Sequence, residues 1–265
     1  MLGFNGGLLG TRKVPTANSA SGLWFQNEQS VAKRAGIWPQ VITDPTAGLS
    51  PVLWYDFADE TKVTVSGSDI TSVTDKGSRG WTLTSSFTKP TYVTGINGKK
   101  CLNWGTSAAH ANFMYNSSTT STTIGEVYVV VDASFGGTIG GSGYAGLFTS
   151  YNDAWYMLGA GGALTQSGTG FNRAYINGGA SDRYSSLFSS PSIDNPAIMR
   201  INNSSDATFN TTGGFEIGND RGNYGLNRGW SGLIGEYIVF SSVLNSTDRD
   251  SLQAWLAFKW GITLV

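Results

Sequence analysis

Residues Trp230 to Ile262 read WSGLIGEYIVFSSVLNSTDRDSLQAWLAFKWGI, and two different periods meet within them. From Leu233 to Phe240, β-branched and aromatic residues crowd together and are interrupted only by Gly235 and Glu236, the pattern of a strand covered on one or both faces. The period then changes. Asn245 stands where a helix N-cap belongs, Asp248 follows three residues later as its acidic partner, and Leu252, Trp255, Leu256 and Trp260 recur at helical spacing before Gly261 closes the run. A long strand followed by a short helix that buries two tryptophans is therefore expected at this end of the chain.

Working outward, Val127 to Val131 is apolar throughout and predicts a central strand buried on both faces. Further short runs separated by turn residues predict strands over Val52–Phe57, Lys62–Val65, Thr91–Val93, Lys100–Trp104, Val127–Ala133, Ala145–Thr149, Trp155–Gly159, Phe171–Ile176, Ala197–Ile201 and Phe215–Ile217. That many strands with one terminal helix predict an all-β fold, a two-sheet antiparallel jelly-roll sandwich. Composition agrees: 36 of the 265 residues are glycine and only 13% are charged, a turn-rich mixture. A formal net charge of -1 provides no basic surface for nucleic acid or anionic membrane, so neither is expected as a partner. Cys101 is the only cysteine, which excludes an intrachain disulfide and a cysteine-built zinc site. The glycine-rich start lacks the apolar core of a secretory signal, and the expectation is a soluble protein made in a cytoplasm.

Residues 1 to 45 differ from the rest and are expected to form an extended arm containing a short helix, Asn27 to Ala35, ended by Gly36 and Pro39. Phe4, Leu8, Leu9, Trp24, Phe25, Val31, Ile37 and Trp38 are too many apolar side chains for one helix to cover. The arm either packs on its own domain or docks on another protein or another copy. Docking is the expectation, with a closed homo-oligomer as the usual outcome.

Two stretches carry a resemblance. The closing helix, together with SPVLWYDFADETKVTVSGSDITSVTDKGSRGWTLT from Ser50 to Thr84, resembles the two ends of LamG-like, concanavalin A-like lectin/glucanase domains of phages and bacteria. It spans about Gly48 to Val265, so the domains expected are an arm over 1–45 and a jelly roll over 46–265. GFNGGLLGTR (Gly3–Arg12) and SGLWFQNEQSVAKRAGIWP (Ser21–Pro39) resemble the N-termini of phage and marine-virus structural proteins. This second resemblance implies a virion location and a peptide that attaches to capsid, neck or tail proteins, with the jelly roll as a capsid decoration, head fibre or tail fibre.

Glucanases of the resembled fold carry two or three acids closely spaced on one strand. None of Glu28, Glu60, Glu126, Glu216 and Glu236 has a second acid two to four residues away on a strand, so no catalytic residue is assigned and a non-enzymatic chain is expected. Cys101 and His110 invite a dyad, yet a lone cysteine in a strand usually packs as a small hydrophobe. No cofactor is expected beyond a possible calcium ion. Asp56, Asp59 and Asp75, or Asp220 beside Asn219 and Asn223, offer hard oxygen ligands, against the simpler reading that such side chains cap turns. Host-surface glycans are the alternative partner, since Tyr151, Asn152, Asp153, Trp155, Arg173, Tyr175 and Arg183 combine aromatic faces with amide, carboxylate and guanidinium groups.

Overall fold

The computed structural model describes residues 13–16, 19–21, 44–86, 89–105, 113–133, 145–150, 156–158, 164–166, 171, 173–179, 181–182, 195–203, 205–211, 213–219 and 229–265. The chain divides into two compact units, Met1–Thr43 and Asp44–Val265. In the first, β1 (Lys13–Thr16) pairs antiparallel with β2 (Ser19–Ser21). The expected helix Asn27–Ala35 and the apolar residues Phe4, Leu8, Leu9, Trp24, Phe25, Val31, Ile37 and Trp38 lie outside the described residues.

The second unit opens on a short helix, α1 (Thr46–Leu49); the Asp44 carboxylate accepts the Thr46 amide at 2.9 Å and so starts the turn. There follow β3 (Leu53–Asp56), β4 (Val63–Ser66), β5 (Asp69–Thr74), β6 (Thr82–Ser85), β7 (Thr91–Thr94) and β8 (Lys100–Asn103). The middle of the chain supplies β9 (Met114–Tyr115), β10 (Thr123–Ile124), β11 (Glu126–Ala133), β12 (Ala145–Ser150), β13 (Tyr156–Leu158) and β14 (Leu164–Gln166). Last come β15 (Arg173–Ile176), β16 (Ser181–Asp182), β17 (Ala197–Asn202), β18 (Phe209–Asn210), β19 (Phe215–Ile217), β20 (Gly232–Phe240) and the helix α2 (Ser246–Trp260).

Strands β10 and β18 form a small separate pair, and the remaining strands of this unit join in one antiparallel sheet that curls into a two-layer jelly-roll sandwich. Its order runs β14-β13-β12-β19-β9-β6-β5-β7-β8-β20-β11-β17-β15-β16. β20 is the hub: it pairs with β11 along its whole length on one side, and with β8 and then β3 along the other. The predicted central strand is indeed central, since β11 lies between β20 and β17 and every residue from Glu126 to Val131 is buried.

Alternation along each strand sorts the side chains into two faces. Leu53, Tyr55, Val127, Val129, Met199, Ile201, Tyr237 and Val239 point into the core, where they meet Ile70, Val73, Leu83, Met114, Phe148, Phe215 and Ile217 of the other layer. Aromatic rings join the layers: Phe215 stacks on Tyr55 with centroids 6.3 Å apart and meets the Tyr237 ring edge-on at 6.5 Å. The Tyr237 hydroxyl donates across the core to the Leu147 carbonyl at 2.7 Å. Burial pushes that phenol well above its ordinary pKa, so it remains a neutral donor.

The other face of β3, β20, β11 and β17 is covered by α2, whose ends match the sequence reading. Asn245 Oδ1 accepts the Asp248 amide at 3.0 Å, and Gly261, at φ 64°, closes the helix in the left-handed region. Asn97 Nδ2 then donates to the last carbonyls, 2.6 Å to Trp260 and 3.2 Å to Gly261.

Candidate functional site

On the face that α2 partly covers, cross-strand register sets two rows of side chains. Arg173 (β15) lies opposite Asn202 (β17), which lies opposite Glu126 (β11); in the next row Tyr175 lies opposite Arg200, which lies opposite Tyr128. Directly opposed residues share a face, so these six form one polar patch. Arg200 Nη1 donates to Glu126 Oε1 at 2.9 Å, and its guanidinium lies 3.5 Å from the Tyr175 ring centroid, stacked on that ring. The second oxygen of Glu126 accepts the Leu244 amide at 3.0 Å, which fixes the chain just before the Asn245 cap. Burial first, and then the Glu126 charge, push the Tyr128 phenol far up, so it is neutral beside that carboxylate.

Three atoms of this patch have no hydrogen-bond partner, the Tyr128 hydroxyl among them. Arg200 Nε, a donor, and Asn202 Oδ1, an acceptor, are both buried and make no hydrogen bond. Asn202 Nδ2 reaches only Asp206 Oδ1, at 3.4 Å. Asp206 is exposed and held in the left-handed region at φ 55°, in a turn closed by its own amide bonding to the Asn203 carbonyl at 3.1 Å. Arg173 and Tyr175 are half-buried at the rim. A donor and an acceptor two residues apart on one strand, beside an aromatic ring and a guanidinium, are complementary to a ligand rich in hydroxyls.

Of the glycan candidates read from sequence, Arg173 and Tyr175 are thus brought together; Tyr151, Asn152, Asp153, Trp155 and Arg183 lie outside the described residues. Arg200, Asn202 and the pairing with Glu126 escaped the sequence reading. A signal was present in Ala197-Ile198-Met199-Arg200-Ile201-Asn202, where polar groups occupy alternate positions of an otherwise apolar strand.

The same face carries a second charged cluster, beneath α2. Glu236 lies opposite Asp56 in the sheet. Its Oε1 accepts the Trp54 indole at 2.7 Å, and its Oε2 accepts the Trp260 indole at 2.6 Å and Lys259 Nζ at 2.8 Å. Lys259 also pairs with Asp56 at 2.8 Å, while Lys76 bridges Asp56 at 3.0 Å and Asp59 at 3.1 Å. Burial, and then the neighbouring Asp56 charge, push the Glu236 carboxyl up, against the downward pull of Lys259 and the Trp260 hydrogen bond. This network fastens the helix to the sheet, and its oxygens are fully occupied.

The calcium candidates resolve in similar fashion. Asp56 and Asp59 come together, on Lys76, whereas Asp75 turns its Oδ1 to the amides of Trp54 and Gly77, each at 2.6 Å, and its Oδ2 to that of Trp81 at 3.3 Å. Burial raises the Asp75 carboxyl and these amide bonds pull it down. These oxygens face ammonium and amide groups of the chain itself, as in the turn-capping alternative. Asp220 lies outside the described residues, and among the described residues no group of three acidic, cysteine or histidine side chains is placed to hold a metal.

Cys101 is fully buried in β8, and burial pushes its thiol up to about 11. It is therefore expected to resist alkylation by iodoacetamide at pH 8 in the native protein and to react fully once the chain is unfolded in urea, as mass spectrometry of the labelled protein will show. His110 lies outside the described residues. Among the described residues no helix is long and apolar enough to cross a membrane.

No protein-family profile and no curated protein matches this chain. Among solved structures it is similar to one described as an arabinofuranosidase complexed with arabinofuranosyl-α-1,2-xylobiose. That protein is an enzyme. The two are 14% identical with a TM-score of 0.43, and the match covers 79% of this chain but only 59% of the other, less than two thirds of its length. The expectation of a non-enzymatic chain is corrected by this match. A search for acids close in sequence also leaves out cross-strand pairs, although the pair described above, Asp56 opposite Glu236, is buried beneath α2 and occupied by Lys259. The arabinofuranosidase's activity and ligand remain properties of that protein.

Proposed function

We propose that this chain is a glycan-binding jelly roll displayed on a virion, with the patch around Arg200 and Asn202 as its sugar site. The observation that carries the reading is the buried donor and acceptor without partners, Arg200 Nε and Asn202 Oδ1, beside half-buried Arg173 and Tyr175. Leaving such groups unmatched costs about 1–3 kcal/mol each, a cost that a bound hydroxyl removes. The Arg200 orientation is already set by Glu126 and Tyr175, so little freedom is lost on binding. The test is an array of bacterial surface oligosaccharides, followed by titration of any hit. Arg173→Gln and Tyr175→Leu should each weaken binding about tenfold, the loss of one charge-assisted hydrogen bond or one ring contact, with a cooperative thermal transition retained. A native protein that binds no saccharide on the array at millimolar concentration would refute the reading.

The virion part rests on the resemblance of Gly3–Arg12 and Ser21–Pro39 to phage structural proteins, and is supported by the division of the chain at Thr43. Among the described residues, the buried core of the second unit runs from Leu53 to Ile262. Residues 44–265 produced alone are expected to give a cooperative urea transition close to that of the full chain and to be absent from purified particles. Normal occupancy of the truncated protein in particles would refute attachment through this segment.

A further inference from the structure

We propose that Lys259 and Asp56 condense into an intramolecular isopeptide bond, with Glu236 as the proton acceptor, so that α2 becomes covalently fastened to β3. The inference stands apart from the glycan reading. Ion pairs of lysine with aspartate ordinarily stay ion pairs, and three features set this one apart. The ammonium touches two carboxyls at once, Asp56 Oδ2 and Glu236 Oε2, each at 2.8 Å. The acid under attack is also held by other donors, since Lys76 Nζ lies 3.0 Å from Asp56 Oδ2 and the Ala58 amide donates to Oδ1 at 3.2 Å. Indole rings wall the site: Lys259 Nζ lies 4.9 Å from the Trp255 ring centroid and 5.6 Å from that of Trp260, while Asp56 and Glu236 are only 4% and 0% exposed.

The step needs no other reactant. Glu236 Oε2 takes a proton from the Lys259 ammonium, and the neutral amine attacks Asp56 Cγ, forming the C–N bond. Burial, and then the Asp56 charge, raise the Glu236 carboxyl, which makes it the stronger proton acceptor. Negative charge gathers on the two Asp56 oxygens, where Lys76 and the Ala58 amide already stand. Two of the three ammonium protons pass by way of Glu236 to one Asp56 oxygen, which leaves as water when its C–O bond breaks; the third stays on the amide nitrogen, and nothing is oxidised or reduced. Groups held in contact by a fold react as if at about 10⁵–10⁸ M, which favours the amide over the separate acid and amine. Lys76 also reaches Asp56 but lacks a comparable base. Its other contact, Asp59 at 3.1 Å, is held below the ordinary carboxylate range, chiefly by the Thr61 hydroxyl, and is a poor proton acceptor.

The ion pair is the state before the bond closes, and closure is slow because the ammonium must first shed a proton. The experiment measures the intact mass of the unfolded full-length protein at purification and after a week at pH 8. A species lighter by one water molecule should accumulate, and tryptic digestion should yield a linked peptide pair joining Asp56 to Lys259. Lys259→Arg keeps a cation for both carboxylates but forms no such amide, so its mass should stay constant. Glu236→Gln should close at least about a hundredfold more slowly, the usual worth of a positioned base. Native protein that keeps its full mass through the week would overturn the inference. So would a loss of water that persists in Lys259→Arg, a link to Lys76 in place of Lys259, or closure of Glu236→Gln at the native rate.

Discussion

Glu236→Ala is expected to lower the stability of the jelly roll by about 3–5 kcal/mol, measured as a shift of the urea midpoint at constant slope. The carboxylate is fully buried and accepts from three donors, the indoles of Trp54 and Trp260 and the ammonium of Lys259. Removing it leaves two buried indole N–H groups unmatched at about 1–3 kcal/mol each, together with the cavity of the lost side chain. Lys259 keeps Asp56 at 2.8 Å, which is why the loss stays below that of a bare buried charge. Glu236→Gln separates shape from charge and should fall between alanine and native. The pH dependence gives a second readout. Because burial raises the folded-state pKa of Glu236, the folded protein holds its proton more tightly than the unfolded chain. That contribution is complete below the ordinary carboxyl pKa and disappears as pH rises through the folded value. The native protein should therefore show this decline in stability, and Glu236→Gln should lack it. A Glu236→Ala midpoint indistinguishable from native would mean that α2 is held in another way.

Gly235→Val should be comparably damaging for the opposite reason, excess volume. A Cβ at this position would lie 2.6, 2.8 and 2.9 Å from three atoms of the Trp260 ring. Trp260 cannot yield, because it is fully buried and its indole is bound to Glu236. Gly235 also occupies a bulge, where the register shifts between Val130 opposite Glu236 and Val131 opposite Ile234. Overpacking of this kind costs about 1–3 kcal/mol, and a branched side chain against a pinned ring belongs at or above the upper end. The expected signature is loss of near-ultraviolet circular dichroism from the tryptophans with strand content retained, since the helix lifts while the sheet persists. Combined with Glu236→Ala, the two costs should not add, because both release the same tryptophan. Full additivity in the double variant would show that glycine and glutamate serve different contacts.

These two residues are the two interruptions in the apolar run of β20. In sequence they read as blemishes in a strand; in the fold one makes room for a ring and the other holds its nitrogen. Local signals were legible wherever a residue's role depends on its near neighbours. Asn245, Asp248 and Gly261 mark the bounds of α2, and the apolar run of β11 marks a strand buried on both faces, because capping and burial periodicity act over a few residues. Strands β5 and β6 were not predicted. Their Asp-Ile-Thr-Ser-Val-Thr and Thr-Leu-Thr-Ser offer little apolar contrast, and their pairing is decided by the sheet around them.

The chain's own order of residues therefore determined an all-β sandwich closed by a capped helix, since propensity, periodicity and turn chemistry all act at short range. Only the tertiary structure decided which charges meet. Glu126 reaches Arg200, and Asp56 and Glu236, like Arg173 and Asn202, come opposite each other through cross-strand register, which depends on how distant strands bury their shared face rather than on spacing along the chain.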